Sequence, residues 1–533
     1  MAGEQEESTD DGLQGLRGSG ERSGPEADHP EGGFEEARGG SPEAAEERDP
    51  RASIPPCERE AQERVEVTAL YSAAAWQRKA FEPETPWRPP VMRDYARVIH
   101  SASFRRLQGK TQVFPGHESD FFRNRLTHSL EVAQIAEGIA LQLNYTEKLF
   151  EKAKIDTRLC SVAALLHDLG HPPFGHNGER PLDDCMKKVG GFEGNAQTVR
   201  IISRVEKKLS NDDYDALSNV EDERVGLNLT LRTIASVIKY DRKIDYERSA
   251  DADLVKGYYA TESNIVELAK TSVDPKWRDR HPDNEAYKFK TIECSIMDIA
   301  DDIAYSTYDL EDCFKAGFIT PGDILASSKD LLDRVAKKIA KALKQDFTRK
   351  EVIDTFHAIF ESADATIDRN NRLPPINEFS KIYEIFNNIT NSSHYRTEFT
   401  SQLVNEAIRD IEIEVANEDI IGLTKLRLKP EARKKVEVLK NYTYEATIYS
   451  ARVKVAEFRG YEVVKGIFDA LSSDKGFLLM PEDLRQQYLK ARPNSTAKMR
   501  AICDFIAGMT DRYALEFYAR LHSDTAQSIF KPL

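Results

Sequence analysis

The chain has 533 residues and a formal net charge of −15, with 31% charged and 40% hydrophobic residues. This length allows two or three domains, or one large helical body with insertions. Residues 1–50 carry 15 acidic and 4 basic side chains, a balance of −11, so that −4 remains for residues 51–533. The overall charge therefore does not exclude a basic pocket for an anionic substrate.

Cysteine usage and hydropathy bear on the compartment. The six cysteines form no CxxC pair and no disulfide-framework spacing, which is typical of a reduced protein. The first residues are acidic and lack the basic start and apolar run of a signal peptide. No apolar segment approaches the length that crosses a bilayer. These features predict a soluble, cytoplasmic protein with no membrane partner.

The composition divides the chain. Residues 1–65 are rich in Gly, Glu, Ser, Pro and Arg, and we expect them to form a disordered acidic tail. Hydrophobic periodicity downstream predicts helices over residues 93–107, 128–143, 157–169, 291–313 and 323–345. Strand signals are short, at 110–114 and 462–464, and no glycine-rich phosphate loop occurs. The predicted fold class is mainly α.

The most informative residues lie between 125 and 176. They include Arg-Leu-Thr-His at 125–128 and Leu-Leu-His-Asp-Leu-Gly-His-Pro-Pro-Phe-Gly-His at 165–176. A His-Asp dipeptide at the end of an apolar helix is costly unless the two side chains are paired or bind a cation. Three residues are therefore candidate metal ligands: His128, His167 and Asp168. A fourth ligand is expected from Asp301 or Asp302, which interrupt the apolar face of another helix.

Two imidazoles and two carboxylates suit a divalent ion, with Mn²⁺ or Mg²⁺ expected and Co²⁺ or Fe²⁺ as alternatives. The competing interpretation is structural, because a lone histidine is usually a helix cap or a satisfied core residue. An Asp-Asp pair on a helix is usually solvated. Four of the eleven histidines, however, fall at 128, 167, 171 and 176, beside an apolar helix. This joint occurrence favours the metal.

Six runs, in this order, resemble the bacterial deoxyguanosine triphosphate triphosphohydrolase (dGTPase) family of the HD superfamily of metal-dependent phosphohydrolases. They are FRRLQGKTQVF at 104–114, RLTH at 125–128, HDLGHPPFGHNGE at 167–179, FEGNAQ at 192–197, ADDIAY at 300–305 and IAGMTDRYA at 506–514. The resemblance implies an HD-type phosphohydrolase core over residues 66–320. It also implies a C-terminal helical region, 321–533, that completes the pocket and forms homo-oligomer contacts.

The resemblance implies hydrolysis of dGTP, or of deoxynucleoside triphosphates generally, at the α-phosphorus to give a deoxynucleoside and tripolyphosphate. In the family pattern a metal-binding Asp is followed by Tyr four residues later and Asp eight residues later. Asp301, Tyr305 and Asp309 match this spacing, so the resemblance favours Asp301 as the fourth ligand. It also implies that Tyr305 and Asp309, together with Gln112, contact the sugar.

Further roles follow from the same resemblance. His176 and Glu179 match a catalytic pair that handles the attacking water, and His171 matches a phosphate contact or second proton donor. The alternative for these three is a loop-stabilising hydrogen-bond network. The expected substrate contacts are Arg125 at the α-phosphate, Lys239 as a phosphate clamp, and Asn195, although Lys239 also fits a surface lysine whose stem lies along apolar surface.

One position departs from the family pattern. Many relatives carry a histidine before the Asn of the Phe-Glu-x-Asn motif, and this chain has Gly194 there. No role can be transferred to that position.

A basic run extends from Lys425 to Lys440. It is interpreted either as a solvated helix face or as a site for single-stranded DNA or an allosteric nucleotide. Two other functions remain alternatives for the whole chain. One is another HD-type nucleotide phosphohydrolase or phosphodiesterase, and the other is a non-catalytic nucleotide- or DNA-binding regulator.

Overall fold

The structure is a computed structural model that describes residues 70–522, with gaps at 84, 113–122, 209–223, 250, 278–287, 364–377, 418, 449–450 and 492–495. The predicted acidic tail, 1–65, lies outside the described residues. The division of the chain at residue 320 also stays a prediction. No helix within the described ranges combines the length and apolarity that a membrane span requires.

The first part of the chain contains most of the helices that surround the candidate site. They are α1 (Pro90–His100), α2 (Ala102–Arg106), α3 (Arg125–Thr146), α4 (Thr157–Leu166), α5 (His176–Met186), α6 (Gly194–Arg200), α7 (Leu231–Ala235), α8 (Ser263–Val273) and α9 (Ile292–Lys315). A π-helical turn, Ile201–Val205, continues α6. Two parallel two-residue strands, β1 (Lys243–Ile244) and β2 (Tyr258–Tyr259), pair between α7 and α8.

Among the described residues after α9, the structure has further helices and one antiparallel pair of strands, β3 (Ile411–Val415) and β4 (Lys425–Leu428). Its helices are α10 (Pro321–Leu325), α11 (Lys329–Leu343), α12 (Arg349–Ala363), α13 (Glu378–Asn391), α14 (Ser393–Arg409), α15 (Pro430–Ile448), α16 (Ala451–Ser472), α17 (Glu482–Lys490), α18 (Thr496–Ala507) and α19 (Asp511–His522). The mainly α fold class is confirmed.

Helix α4 lies at the centre of the largest hydrophobic cluster. Every residue from Leu159 to Leu166 is buried, and the helix packs against α1, α3 and α9. The Asp156 side chain accepts a hydrogen bond from the Leu159 amide and so caps the helix start. Because α4 is buried on all sides, the residues at its C-terminal end are held against the core.

Two further hydrophobic clusters join the C-terminal helices to the rest. One connects the end of α9 with α11, α12, α14 and α15. The other connects Leu182 and Met186 of α5 with α16, α18 and α19. Helix α5 begins at His176, so C-terminal helices pack directly against the helix that starts at a candidate catalytic residue.

The local predictions fail where short caps divide a helix. The predicted helix at 93–107 is split at Ser101, whose hydroxyl caps the next helix by accepting from the Phe104 amide. The predicted helix at 323–345 is split before Ser328, which caps α11 in the same way. At 110–114 only an isolated bridge, Thr111 with Asn124, forms among the described residues, and 113–114 lie outside them.

The predicted strand at 462–464 is wrong. These residues lie inside α16, and Val463 and Val464 are buried in the cluster shared with α5. Two adjacent β-branched residues favour a strand locally, but packing of a long helix against its neighbours outweighs that preference.

Candidate active site

Three helices bring the candidate metal ligands together. Helix α3 starts with a capping box, in which the Asn124 side chain accepts from the Thr127 amide and the Thr127 hydroxyl reaches back to residue 124. This cap fixes the first turn, where His128 is buried. His167 is the C-terminal cap of α4, and Asp301 lies in the middle of α9.

The ligand atoms are separated by distances that fit one ion. His128 Nε2 lies 3.2 Å from Asp301 Oδ1, and His167 Nε2 lies 3.6 Å from the same oxygen. Asp168 Oδ1 is 3.4 Å from His167 Nε2. Neighbouring ligands of an octahedral ion with bonds of about 2.1 Å are about 3 Å apart, so a small contraction would close this set around an ion.

His167 supplies an independent test of the fit. Its Nδ1 lies 2.6 Å from the Ala164 carbonyl oxygen, to which it donates, so Nε2 carries the lone pair. That Nε2 is buried and has no hydrogen-bond partner among the described residues. Buried polar atoms without partners are rare in folded proteins. The arrangement fits a nitrogen that is held in place to bind a metal.

Of the two adjacent carboxylates, only Asp301 faces the histidines. The Oδ1 of Asp302 instead accepts a hydrogen bond of 3.1 Å from Lys440 on α15. Although burial opposes the shift, Lys239 and His167 hold the pKa of Asp301 well below its usual range. The Asp301 side chain is therefore ionised, as a ligand to a dication must be.

The other predicted phosphate contacts lie beside the ligands. Arg125 Nη1 donates to Asp168 Oδ2 over 2.6 Å, and the Arg125 Nε is buried without a partner among the described residues. The Nζ atom of Lys239 lies 3.2 Å from Asp301 Oδ2 and 2.7 Å from Asp298 Oδ1. Both cations thus contact carboxylates of the candidate metal site.

The loop after α4 brings the predicted catalytic residues together. His176 is exposed, and its Nδ1 lies 2.9 Å from Glu179 Oε2. The buried Glu179 accepts a second hydrogen bond, of 2.7 Å, from the Gly194 amide at its Oε1. Burial opposes ionisation, but the hydrogen bond from His176 and the nearby His171 lower the pKa of Glu179 to about 2. An ionised Glu179 can therefore orient the His176 imidazole.

His171 connects this loop to the metal ligands. Its Nε2 lies 3.0 Å from Asp168 Oδ1, and its ring makes an edge contact with His176, with centroids 5.0 Å apart. Burial, followed by the Arg125 guanidinium, lowers the pKa of His171 to about 4. The two candidate sets, metal and catalytic, are thus contiguous.

His171, His176 and Glu179 also lie within reach of a second ion. The contacts argue against one, because both Glu179 oxygens already accept hydrogen bonds. His171 Nδ1 has no hydrogen-bond partner among the described residues, but a Cβ built on Gly194 would lie 3.1 Å from it, so the backbone leaves little space beside this nitrogen. The geometry favours proton transfer over coordination.

The predicted sugar contacts show unused polar atoms. Gln112 Oε1 and Asp309 Oδ2 are buried without hydrogen-bond partners among the described residues. Burial raises the pKa of Asp309 to about 8. Burial, followed by the Asp309 carboxylate, also raises the pKa of Tyr305. Asn195 differs, because its amide already donates to Glu193 Oε1 over 2.6 Å.

Comparison with known proteins gives two family matches. The HD domain matches residues 125–306, which contain all four candidate ligands, and the phosphohydrolase-associated domain matches residues 426–520. The chain is 50% identical over 465 residues to deoxyguanosinetriphosphate triphosphohydrolase-like protein 2 of Mesorhizobium japonicum, covering 84% of this chain and 96% of the relative. It is 33% identical to the deoxyguanosinetriphosphate triphosphohydrolase-like protein of Aliivibrio fischeri, covering 81% and 93%.

The chain belongs to the dGTPase-like family of HD-domain proteins. In this family member, two observations account for a glycine at 194: its amide donates to Glu179, and there is little space for a side chain. A Cβ at this position would lie 3.1 Å from Glu179 Oε1 and from His171 Nδ1, closer than most Cβ contacts. The loop between α4 and α5, which carries predicted catalytic residues and is named the catalytic loop for that reason, therefore lies in close contact with α6 at Gly194.

The basic run of this dGTPase-like chain is extensively paired. Arg427 contacts Glu412, Lys429 contacts Asp410, and Lys435 contacts Glu406, each at 2.8 to 3.0 Å between charged atoms. These contacts favour the solvated-face interpretation over a nucleic-acid site, which needs cations available for phosphates.

Two features of the site were missed from the sequence. Asp298, three residues before Asp301, shares Lys239 with it, and this i,i+3 spacing could have pointed to it. The second feature is a set of contacts from Lys110 and Asp511 to the catalytic loop. These residues lie 61 and 337 positions from their partners, and no local pattern connects them.

Proposed function

We propose that the protein is a metal-dependent deoxynucleoside triphosphate triphosphohydrolase that favours dGTP. The observation that carries the proposal is the buried Nε2 of His167, which has no hydrogen-bond partner among the described residues and lies near His128, Asp168 and Asp301. It is supported by the names of relatives that align with most of the chain.

The proposed reaction joins a water oxygen to the α-phosphorus and breaks the bond from that phosphorus to the sugar O5′. A divalent ion held by His128, His167, Asp168 and Asp301 would supply Lewis-acid polarisation of a phosphate oxygen. We propose Mn²⁺ or Mg²⁺, with Co²⁺ or Fe²⁺ as alternatives. The products are a deoxynucleoside and intact tripolyphosphate.

The chain's own residues divide the remaining work. Glu179 fixes the His176 ring through Nδ1, so that the ring is oriented to accept a proton from the attacking water. His171 contacts a phosphate, or takes up a proton from solvent when the anionic triphosphate binds and donates that proton to O5′. Arg125 and Lys239 provide positive charge for the phosphates once the substrate competes for their present carboxylate partners.

Selection of a deoxyribose is proposed for Gln112, Tyr305 and Asp309. The raised pKa of Asp309 keeps it protonated at neutral pH, so it can donate as well as accept a hydrogen bond. A site that hydrogen-bonds the 3′-hydroxyl and is closed by packed side chains rejects a 2′-hydroxyl. Asn195 is proposed as a further substrate contact on release from Glu193. We also propose that the protein acts in the cytoplasm as a homo-oligomer.

Product analysis in ¹⁸O-labelled water tests the reaction. Purified protein is incubated with each deoxynucleoside and ribonucleoside triphosphate and with Mn²⁺ or Mg²⁺, and products are separated by anion-exchange chromatography. We expect labelled tripolyphosphate and an unlabelled deoxynucleoside, with dGTP fastest. Labelled orthophosphate would instead identify a nucleotidase, and nucleotide binding without turnover would identify a regulator. Either result would refute the proposal.

A further inference from the structure

A buried carboxylate from the phosphohydrolase-associated region contacts both sides of the candidate active site. Asp511, the first residue of α19, accepts a 2.8 Å hydrogen bond from the Phe174 amide at Oδ1. Its Oδ2 accepts from the Thr111 amide over 2.8 Å and from the Thr111 hydroxyl. One side chain thus connects the catalytic loop to the segment that contains Thr111 and Gln112.

The backbone at Phe174 needs such a contact. Phe174 has a φ of +64°, a left-handed conformation that is uncommon for a large side chain, and Gly175 follows with a φ of +58°. Helix α5 begins at the next residue, His176. The direction in which His176 leaves the loop therefore depends on a turn that is unfavourable by itself and is held by Asp511.

The second side of the site is fixed by the same carboxylate. Thr111 forms a bridge with Asn124, and the Arg125 amide donates to the Lys110 carbonyl over 3.3 Å. Asp511 therefore contacts the residue that precedes Gln112. Through the Thr111–Asn124 bridge, this contact is also connected to the start of α3.

Lys110 adds a parallel connection. Its buried ammonium donates to the His171 carbonyl over 2.6 Å and to the Ala507 carbonyl over 2.9 Å. The segment comes close to the C-terminal region, since a Cβ on Gly109 would lie 2.8 Å from Thr510 Cγ2. Hydrogen bonding and close packing thus both join residues 109–111 to residues 507–511.

We propose that Asp511 is a positioning residue, which sets the catalytic loop and the Gln112 segment in register with one another. This inference rests on the proposed function for the roles of His176 and Gln112. The phosphohydrolase-associated region would then have a defined part in the reaction. Through Asp511 it would hold His176 and Gln112 in position without contacting the substrate.

The test combines kinetics with hydrogen–deuterium exchange of Asp511→Asn. The asparagine side chain keeps the shape of aspartate, but its NH2 group cannot accept a hydrogen bond. It would therefore face either the Phe174 amide or the Thr111 donors with an N–H of its own. We expect bound metal to be retained, exchange in the peptide covering 171–176 to accelerate, and kcat to fall roughly 10- to 100-fold, since small misplacements of catalytic groups have effects of this order. Loss of the Thr111 contacts should raise KM as well.

Two further variants separate positioning from general stability. Thr111→Val removes only the hydroxyl contact and should give smaller changes in the same direction, and it decides the question if Asp511→Asn fails to fold. Glu445→Gln removes another buried carboxylate of the C-terminal region, which pairs with Arg334 and Lys338. It should leave loop exchange and kcat unchanged.

Unchanged loop exchange and kcat in folded Asp511→Asn, or in Thr111→Val where Asp511→Asn does not fold, would overturn the inference. Equal loop acceleration in Glu445→Gln would also overturn it. If the wild-type protein shows no turnover, the proposed function fails. Accelerated loop exchange specific to Asp511→Asn and Thr111→Val would still establish the positioning contact.

Discussion

The two candidate histidine sets lie side by side and differ in how their polar atoms are paired. In the candidate metal set, His167 Nε2 is buried without a hydrogen-bond partner among the described residues, and the Asp301 and Asp168 carboxylates contact Lys239 and Arg125. In the catalytic loop, both Glu179 oxygens accept hydrogen bonds, from His176 and from the Gly194 amide, although His171 Nδ1 has no hydrogen-bond partner among the described residues. Because the carboxylate of the second set is already hydrogen-bonded, we expect only the first set to depend on an ion for its stability.

Removing one of the two adjacent carboxylates of α9 should separate the sets most strongly. Asp301→Ala removes the carboxylate oxygen that lies within 3.6 Å of both His128 Nε2 and His167 Nε2, so we expect loss of bound metal and turnover below detection. Metal is measured by elemental analysis after gel filtration, and turnover by tripolyphosphate release.

Asp302→Ala is the matched control, because it removes a neighbouring carboxylate that pairs with Lys440 instead. It should keep both metal and most activity. Equal metal content in the two variants would contradict the assignment of Asp301.

Glu179→Gln should affect the catalytic loop alone. In the amide only one of the two terminal atoms can accept, so one of the two hydrogen bonds of Glu179 is lost, the His176 ring is held less firmly, and we expect kcat to fall roughly 10²- to 10⁴-fold with full metal content. Asp184→Asn on the same helix, where an exposed acid pairs with Lys187, is the control and should leave kcat unchanged. Loss of metal in Glu179→Gln would show that the two sets are not independent.

The site residues that the sequence predicts are those with a local pattern. His128 follows a capping box, His167 and Asp168 follow a nearly all-apolar helix, and His176 and Glu179 are one helical turn apart. From the residues alone Asp301 and Asp302 were equivalent, and only the family spacing favoured Asp301. In the structure their difference is the direction of one helix face, set by packing of α9 against α3 and α4.

The contacts that cross the chain could not be predicted in this way. Asp511 meets Phe174 and Thr111 over separations of 337 and 400 residues, and its run at 506–514 indicated family membership but not a contact. The helix breaks at Ser101 and Ser328 were missed for a different reason. Hydrophobic periodicity continues through a serine cap, so the pattern does not register the interruption.

The smallest effect is expected at Gly194, where the catalytic loop packs against α6. Gly194→Ala keeps the amide that donates to Glu179 but adds a methyl group 3.1 Å from Glu179 Oε1 and His171 Nδ1. Both side chains must shift by a few tenths of an ångström, and we expect kcat to fall by about tenfold, since catalysis is sensitive to such displacements.

Gly138→Ala is the control, because its methyl group would meet only a flexible Ile408 side chain at 3.4 Å. Metal content should not change in either variant, because the methyl group at 194 would meet Glu179 and His171 and none of the candidate metal ligands. A kcat in Gly194→Ala equal to that of Gly138→Ala would mean that Glu179 and His171 tolerate displacement, and the hydrogen-bonded loop would then be a scaffold rather than the machinery of proton transfer.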